Sequence, residues 1–197
     1  MEASIAQGHS AAPLLEETIG ANLARTAARH PDGDALVSVQ QGLRYTYREL
    51  AAAVDEVARG LLALGVERGD RVGIWSPNCA EWVLLQYATA TVGAILVNVN
   101  PAYRAHELEY VLRQSGVSLL VAAESFQDGD YRALIAEATP GLPLLRHVAY
   151  LDTPDWGALL TGGAAVAPAA LAARSAQLAP GDPINIQYTS GTTGFPK

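Results

Sequence analysis

The sequence has few cysteine and histidine residues, which are the side chains that form disulfides and most often bind metals in proteins. Its one cysteine, Cys79, leaves no pair for an internal disulfide, and a chain without disulfides is expected in a reducing cytoplasm. The four histidines, at positions 9, 30, 106 and 147, are far apart, and none pairs with another histidine or with the cysteine at metal-ligand spacing. We therefore expect neither a disulfide framework nor a metal site built from these side chains.

Charged residues are also few, at 17% of the chain, and acidic residues outnumber basic ones by 20 to 13, which gives a formal net charge of −7. Nucleic acids and anionic membrane surfaces attract basic proteins, so neither is an expected partner. The most apolar stretch, residues 83–97, contains Gln86, Thr89 and Thr91 and is shorter than the roughly 20 apolar residues that span a bilayer. No transmembrane segment is expected.

Residues 1–15 read as a disordered leader. They include the acidic Glu2 and lack both the basic and the apolar region of a secretory signal. Hydrophobic residues make up 50% of the chain, which is enough apolar material for one sizeable core. We therefore predict that residues 16–197 belong to one domain.

From Arg71 onwards, apolar runs of strand length alternate with segments of helical periodicity. This alternation is typical of an α/β protein with a largely parallel sheet and helices on both faces. Ligands of such sheets bind outside the carboxyl ends of the strands. The predicted strands are Arg71–Trp75, Ala94–Val99, Ser118–Ala122, His147–Leu151 and Ile184–Tyr188, and the predicted helices are Cys79–Thr91, His106–Gln114 and Tyr131–Ala138.

The residues before Arg71 predict two helices and a hairpin. The second helix begins at Thr46, which forms the pattern of a capping box with Glu49 three residues later. Residues 153–183, which are rich in small side chains, predict a loosely packed connection with one or two short helices. The other predicted elements are a helix from Glu16 to His30 and a hairpin of strands Asp34–Val39 and Leu43–Tyr45.

The end of the chain carries the strongest functional pattern. Ile184, Ile186 and Tyr188 alternate with polar residues, so they predict a strand, and a loop follows it. Glycines in this loop permit positive φ and let backbone N–H groups approach an anion, while hydroxyl groups and a lysine supply further donors. A plain turn has a similar composition, and the spacing is not that of a Walker P-loop. The candidate anion-binding residues are Thr189, Ser190, Gly191, Thr192, Thr193, Gly194 and Lys197.

Lys197 is the only lysine among the 13 basic residues of the chain. A lysine ammonium is a compact, rotatable point charge, whereas the arginine guanidinium is a rigid planar fork. The use of lysine at this one position favours a contact with a phosphate.

Residues 188–197, which read YTSGTTGFPK, resemble the phosphate loop of the adenylate-forming enzymes at all ten positions. These enzymes include acyl-CoA synthetases, aryl-CoA ligases, luciferases and the adenylation domains of peptide synthetases. Two weaker motifs precede the loop in the order expected for the family, namely residues 46–50 (TYREL) and 93–101 (GAILVNVNP). The resemblance covers residues 18–197.

Residues 100–104 (NPAYR), 107–112 (ELEYVL) and 184–188 (INIQY) are most similar to the medium- and long-chain fatty acyl-CoA synthetase branch. The resemblance implies that a fatty-acid carboxylate attacks the α-phosphorus of ATP, giving an acyl-adenylate and pyrophosphate, and that the thiol of coenzyme A then displaces AMP. The candidate loop residues would hold the β- and γ-phosphates, and magnesium would accompany the nucleotide.

The resemblance places the remaining functional groups beyond Lys197. They are the adenine pocket, the glutamate that helps to hold magnesium, the ribose-binding aspartate and the catalytic lysine of a mobile C-terminal domain. The chain is therefore expected to contain no catalytic residue, to need the missing C-terminal portion of its own chain, and to be inactive alone. Two alternatives stay open: an adenylating enzyme for an aryl or other small carboxylate, and a non-catalytic remnant or interaction module.

Overall fold

The computed structural model of the protein describes residues 15–189, which form seven α-helices, one 3₁₀-helix and nine strands. The strands are β1 (Asp34–Ser38), β2 (Leu43–Thr46), β3 (Arg71–Trp75), β4 (Ile95–Asn98), β5 (Val117–Ala122), β6 (Ser125–Phe126), β7 (Gly129–Asp130), β8 (His147–Tyr150) and β9 (Asn185–Gln187). The helices are α1 (Ile19–Arg29), α2 (Tyr47–Ala63), α3 (Ala80–Val92), α4 (Ala105–Ser115), α5 (Tyr131–Ala138), α6 (Pro154–Ala164) and α7 (Pro168–Ser175), and the 3₁₀-helix is Thr139–Gly141.

Five strands form the central sheet in the order β8-β5-β3-β4-β9, and every neighbouring pair is parallel. The strands β1 and β2 form a separate antiparallel hairpin, as do β6 and β7. The predicted α/β class with a parallel sheet is therefore confirmed. The β9 strand is shorter than the predicted Ile184–Tyr188, and its outer edge has no partner strand within residues 15–189.

The sheet is buried on both faces. All six residues of β5 are buried, and Leu119 and Val121 belong to a hydrophobic core shared with α1, α2, α3, α6 and α7. Their neighbours Leu120 and Ala122 belong to a second core, shared with α4 and α5. Successive side chains of a strand point to opposite faces, so a strand covered on both sides reads as a continuous apolar run. Helices lie on both faces, as predicted.

The predicted leader lies outside the described residues, apart from Leu15. Within the described part of the chain, no single helix has both the length and the apolar composition needed to cross a bilayer. Only α6 and α7 taken together satisfy that test, and they are bent by 90° relative to each other.

The one or two short helices predicted within residues 153–183 are present as α6 and α7, but the prediction of a loosely packed connection is wrong. Leu159 of α6 is buried and packs against Gly60 of α2. A Cβ atom built on Gly163 would lie 2.6 Å from the amide nitrogen of Gly60, so the two helix backbones are in close contact. The glycines that resemble loop signals in the sequence instead let two helices pack at native density.

The capping box predicted at Thr46 is present at the start of α2. The Glu49 amide donates to the Thr46 hydroxyl at 3.3 Å, and the Thr46 amide donates to the Glu49 carboxylate at 2.8 Å. The bond from the Thr46 amide, followed by one from its hydroxyl, lowers the pKa of Glu49. Both partners are local in sequence, which is why the pattern locates the start of this helix.

Removing the cap should destabilise the fold. Thr46→Ala is expected to lower the free energy of unfolding by about 1 kcal/mol, because α2 loses the side-chain acceptor for its first turn. Urea denaturation followed by circular dichroism measures the change. Thr46→Ser keeps the hydroxyl and should stay within about 0.5 kcal/mol of the parent protein. Equal losses in the two variants would show that the hydroxyl does not stabilise the helix.

Candidate functional site

The carboxyl ends of the parallel strands lie along one edge of the sheet, and a cavity of about 490 Å³ opens there. We call it the carboxyl-edge cavity. Its walls come from the segments that follow β3, β4, β5 and β9. The lining residues are Ser76, Pro77, Asn78, Trp82, Asn98, Val99, Asn100, Pro101, Phe126, Gln187 and Tyr188.

The strand order explains why a cavity forms at this edge. The connection from β3 through α3 leads to β4 on one side, whereas the connection from β4 through α4 leads back to β5 on the other side of β3. Connections that leave in opposite directions separate the loops at the carboxyl ends and leave a crevice between them. The carboxyl-edge cavity lies beside this reversal, in the position where open α/β sheets bind ligands.

The predicted phosphate loop begins at this cavity. Gln187 at the end of β9 pairs in register with Asn98 of β4, and the next residue, Tyr188, lines the cavity. Thr189 follows it and is exposed. The other predicted site residues lie outside the described residues, so their contact with phosphate stays a prediction. They are Ser190, Gly191, Thr192, Thr193, Gly194 and Lys197.

Four amide side chains line the carboxyl-edge cavity, namely those of Asn78, Asn98, Asn100 and Gln187. The sequence interpretation did not assign them to the site, although each lies within three residues of a strand end. The Oδ1 atom of Asn98 is buried and has no hydrogen-bond partner among the residues that the structure describes. A buried amide oxygen is a strong acceptor that favours a donor from a ligand or from a further part of the protein.

The described wall of the cavity carries no charged side chain. Its four amides can orient a ligand but cannot neutralise an anion. The hydroxyls of Ser76 and Tyr188 already donate to the carbonyl oxygens of Pro77 and Val111. Residues 15–189 also contain no cluster of histidine, cysteine, aspartate or glutamate side chains that could hold a metal ion. We derive no step through a magnesium ion from these residues.

The surroundings of Cys79 disfavour its thiolate form. It is the N-cap residue of α3, its side chain makes no capping hydrogen bond, and burial raises the pKa of its thiol. The first turn of α3 is capped instead by Gln41, whose Oε1 atom accepts from the amide of Ala80 at 2.7 Å. The helix N-terminus is thus occupied by a side chain of the β1–β2 hairpin loop, and Cys79 remains a partly buried packing residue.

The chain matches the model of the family described as AMP-binding enzyme over residues 23–197. It is 42% identical to the medium-chain acyl-CoA ligase ACSF2, mitochondrial, of Rattus norvegicus, over 98% of this chain and 35% of the rat protein. The chain therefore spans about a third of the length of this relative.

Two solved structures share the architecture described above. A fatty acyl CoA synthetase of Mycobacterium tuberculosis aligns with a TM-score of 0.63 and 25% identity over 91% of this chain and 33% of that chain. The N-terminal subdomain of Klebsiella oxytoca NpsA, in complex with 3-hydroxybenzoyl-AMSN, aligns with a TM-score of 0.66 and 25% identity over 96% of this chain and 42% of that chain.

Proposed function

Because the chain belongs to the AMP-binding enzyme family, we propose that it forms the N-terminal portion of an ATP-dependent acyl-CoA ligase for fatty acids. The observation that carries the proposal is the position of Thr189. The matched phosphate-loop sequence begins where β9 ends, at the carboxyl edge of a parallel sheet and beside an amide-lined cavity. A loop that binds a polyphosphate at this place can present it to ligands in the cavity.

In the proposed reaction the loop acts by electrostatics. The hydroxyls of Thr189, Ser190, Thr192 and Thr193 and the amides of the two loop glycines hold the β- and γ-phosphates of ATP. The Lys197 ammonium offsets the negative charge that grows on the leaving pyrophosphate. The fatty-acid carboxylate displaces pyrophosphate to form the acyl-adenylate, and the thiol of coenzyme A then displaces AMP. Magnesium is expected to accompany the nucleotide, held by groups outside the described residues.

A fatty acid is the preferred substrate class for two reasons. The motifs at residues 100–104 and 107–112 resemble the fatty acyl-CoA synthetase branch, and the rat relative is a medium-chain acyl-CoA ligase. The runner-up is an aryl or other small carboxylate, which the likeness to NpsA with its 3-hydroxybenzoyl ligand supports.

We also propose that the reaction takes place in the cytoplasm, although the rat relative is mitochondrial by name.

We further propose that residues 1–197 make no acyl-CoA by themselves. The chain spans about a third of the rat ligase, and the groups that would hold adenine and ribose and supply the catalytic lysine belong to the remaining portion. The gene read on past the Lys197 codon would encode that portion, and we call its product the extended protein. A stop codon directly after Lys197 would favour the alternative of a non-catalytic interaction module.

The proposal is tested by assaying both polypeptides for thioester formation from ATP, coenzyme A and a carboxylic acid. Residues 1–197 should give no product above the rate without protein, because only the phosphates have a binding loop. The extended protein should consume the thiol of coenzyme A and release AMP and pyrophosphate in an ATP-dependent reaction. Thioester formation by residues 1–197 alone, or its absence with the extended protein, would contradict the proposal.

The same assay separates the substrate classes. Octanoate and dodecanoate represent the fatty acids, and benzoate and 3-hydroxybenzoate represent the aryl acids. We expect kcat/KM of the extended protein to be at least about tenfold higher for a fatty acid, the factor that corresponds to about 1.4 kcal/mol. A higher kcat/KM for an aryl acid would make the runner-up the correct substrate class.

A further inference from the structure

We propose that Trp75 and Tyr131 are positioning residues of the carboxyl-edge cavity, because they hold the turn of residues 100–103 that lines it. Trp75 is the last residue of β3 and Tyr131 is the first residue of α5, and neither lines the cavity itself. The proposal rests on the proposed function only in so far as the cavity receives one of the substrates. The hold on the turn is a structural claim that can be tested separately.

The two side chains form a rigid unit in the second core. Their rings are parallel, with an interplanar angle of 3° and ring centroids 3.5 Å apart. Trp75 is 0% exposed and Tyr131 is 1% exposed. Large side chains buried to this extent are confined to one rotamer by close packing, so their polar atoms have fixed positions.

Both polar atoms are directed at the same turn. The Trp75 indole nitrogen donates to the carbonyl oxygen of Asn100 at 2.9 Å, and the Tyr131 hydroxyl donates to the carbonyl oxygen of Pro101 at 2.5 Å. Asn100 and Pro101 are consecutive residues, and both line the cavity. The stacked pair therefore fixes two successive peptide groups at the cavity wall.

The turn depends on these contacts because the sheet no longer supports it. Pairing of β4 with its neighbours ends at Asn98, and the last bond to the sheet runs from the Val99 amide to the Ile74 carbonyl at 3.0 Å, directly before the turn. Beyond that point the turn has two short internal bonds: the Ala102 amide donates to Asn100 Oδ1 at 2.9 Å, and the Tyr103 amide donates to the Asn100 carbonyl at 3.1 Å. The indole and the phenol bond this small unit to the second core, against which the partly buried Tyr103 side chain also packs.

The pair is in turn held by the backbone that follows β5. The Trp75 carbonyl accepts from the Ala123 amide at 3.0 Å, and the Tyr131 amide donates to the Glu124 carbonyl at 3.0 Å. Burial also raises the pKa of Tyr131 to about 12, so its hydroxyl stays protonated and remains a donor at neutral pH. A leucine or phenylalanine could fill the same space, but only these two side chains also supply donors.

The first test is amide hydrogen exchange in the extended protein, compared between the parent and Tyr131→Phe. Phenylalanine keeps the stacked ring and removes only the hydroxyl. We expect the amides of Ala102 and Tyr103 to exchange about fivefold faster or more, since the turn loses one of the two side-chain hydrogen bonds that it accepts from the stacked pair. The amides of the buried helix α3 should change by less than about twofold.

Ser118→Ala is the matched control. The Ser118 hydroxyl donates to the Arg71 carbonyl at 3.3 Å, so this variant also loses a side-chain bond to backbone, but near the first residue of β5, at the opposite edge of the sheet. Its exchange rates at Ala102 and Tyr103 should equal those of the parent. Unchanged exchange at these amides in Tyr131→Phe would overturn the proposal, as would equal acceleration in Ser118→Ala.

A second measurement needs no variant and so does not depend on whether Tyr131→Phe folds. The chain has three tryptophans, at positions 75, 82 and 156. The indole N–H of Trp75 should exchange slowest in the parent protein, because Trp75 is fully buried and bonded to the turn, whereas Trp82 and Trp156 are only partly buried. Faster exchange at Trp75 than at either of the others would contradict the hold on the turn.

Steady-state kinetics of the extended protein test whether Tyr131 positions the cavity wall for a substrate. Tyr131→Phe should raise KM for the carboxylic acid or for coenzyme A about threefold or more, with kcat within about twofold of the parent, since the change affects a binding wall and not a reacting group. Ser118→Ala should leave both constants unchanged. Unaltered KM values for both substrates would overturn the positioning role. If the parent extended protein is inactive, the proposed function fails, while the exchange measurements still decide the hold on the turn.

Discussion

Lys197→Ala in the extended protein is expected to lower the adenylation rate constant or the affinity for ATP about ten- to a hundredfold. A hydrogen bond to a charged group is worth roughly 1.5–3 kcal/mol, and about 1.4 kcal/mol corresponds to a factor of ten. The loss should be incomplete, because in the proposed reaction the hydroxyls and backbone amides of residues 189–194 also bind the phosphates. ATP–pyrophosphate exchange and ATP titration measure the two quantities.

Two controls separate a contact with phosphate from a general effect of charge. Lys197→Arg keeps the charge and should recover only part of the loss, because the planar guanidinium fork does not reproduce the geometry of a point charge. Arg113→Ala removes a positive charge from α4, where Arg113 pairs with Glu109 at 3.1 Å on the protein surface. It should leave adenylation unchanged. A Lys197→Ala variant within about twofold of the parent, a shift of only ~0.4 kcal/mol, would remove Lys197 from the site.

Gly163→Ala is expected to lower the free energy of unfolding by about 1–3 kcal/mol, the usual cost of overpacking a well-packed contact. The added methyl would lie 2.6 Å from the Gly60 amide nitrogen and 3.0 Å from the carbonyl carbon of Arg59 and the carbonyl oxygen of Glu56. All three atoms belong to the backbone of α2, which cannot move aside as a flexible side chain can. The helices α2 and α6 must therefore separate, and urea denaturation measures the cost.

The adjacent glycine supplies the matched control. A Cβ atom at position 162 would meet only the Cβ atom of Ala63, at an ordinary contact distance of 3.7 Å. Gly162→Ala should therefore raise the free energy of unfolding by up to about 1 kcal/mol, because alanine favours a helix interior over glycine. The two variants have the same composition, so opposite signs would demonstrate the close helix crossing. A similar change in both would show that the contact at Gly163 is not tight.

Features that depend on residues close together in the sequence could be predicted, whereas features that depend on contacts between distant residues could not. The start of α2 was predictable because Thr46 and Glu49 bond to each other three residues apart. The parallel sheet was predictable because helices alternate with apolar strands, a pattern with few other solutions. The tight packing of residues 153–183 was not predicted, because glycine occurs both in loops and at close helix crossings. Only the neighbouring helix distinguishes the two cases.

The candidate site contains residues of both kinds, some from one continuous segment and others from separate segments. The phosphate loop at residues 188–197 was predicted from its own residues and stays a prediction, since glycine, hydroxyl and lysine donors for a phosphate can be read from one continuous segment. The amides of Asn78, Asn98 and Gln187 were not identified, because they come from three separate segments and meet only at the carboxyl edge. The same holds for the bonds from Trp75 and Tyr131 to the turn at residues 100–103.

By itself, the sequence determined the class of fold and the start of α2, because periodicity and the local capping pattern of Thr46 and Glu49 decide them. Only the tertiary structure decided the strand order β8-β5-β3-β4-β9, the cavity beside β4 and β9, and the close crossing of α2 and α6. These features depend on contacts between residues that are far apart in the chain. Such contacts follow from how whole layers pack, and no single segment encodes them.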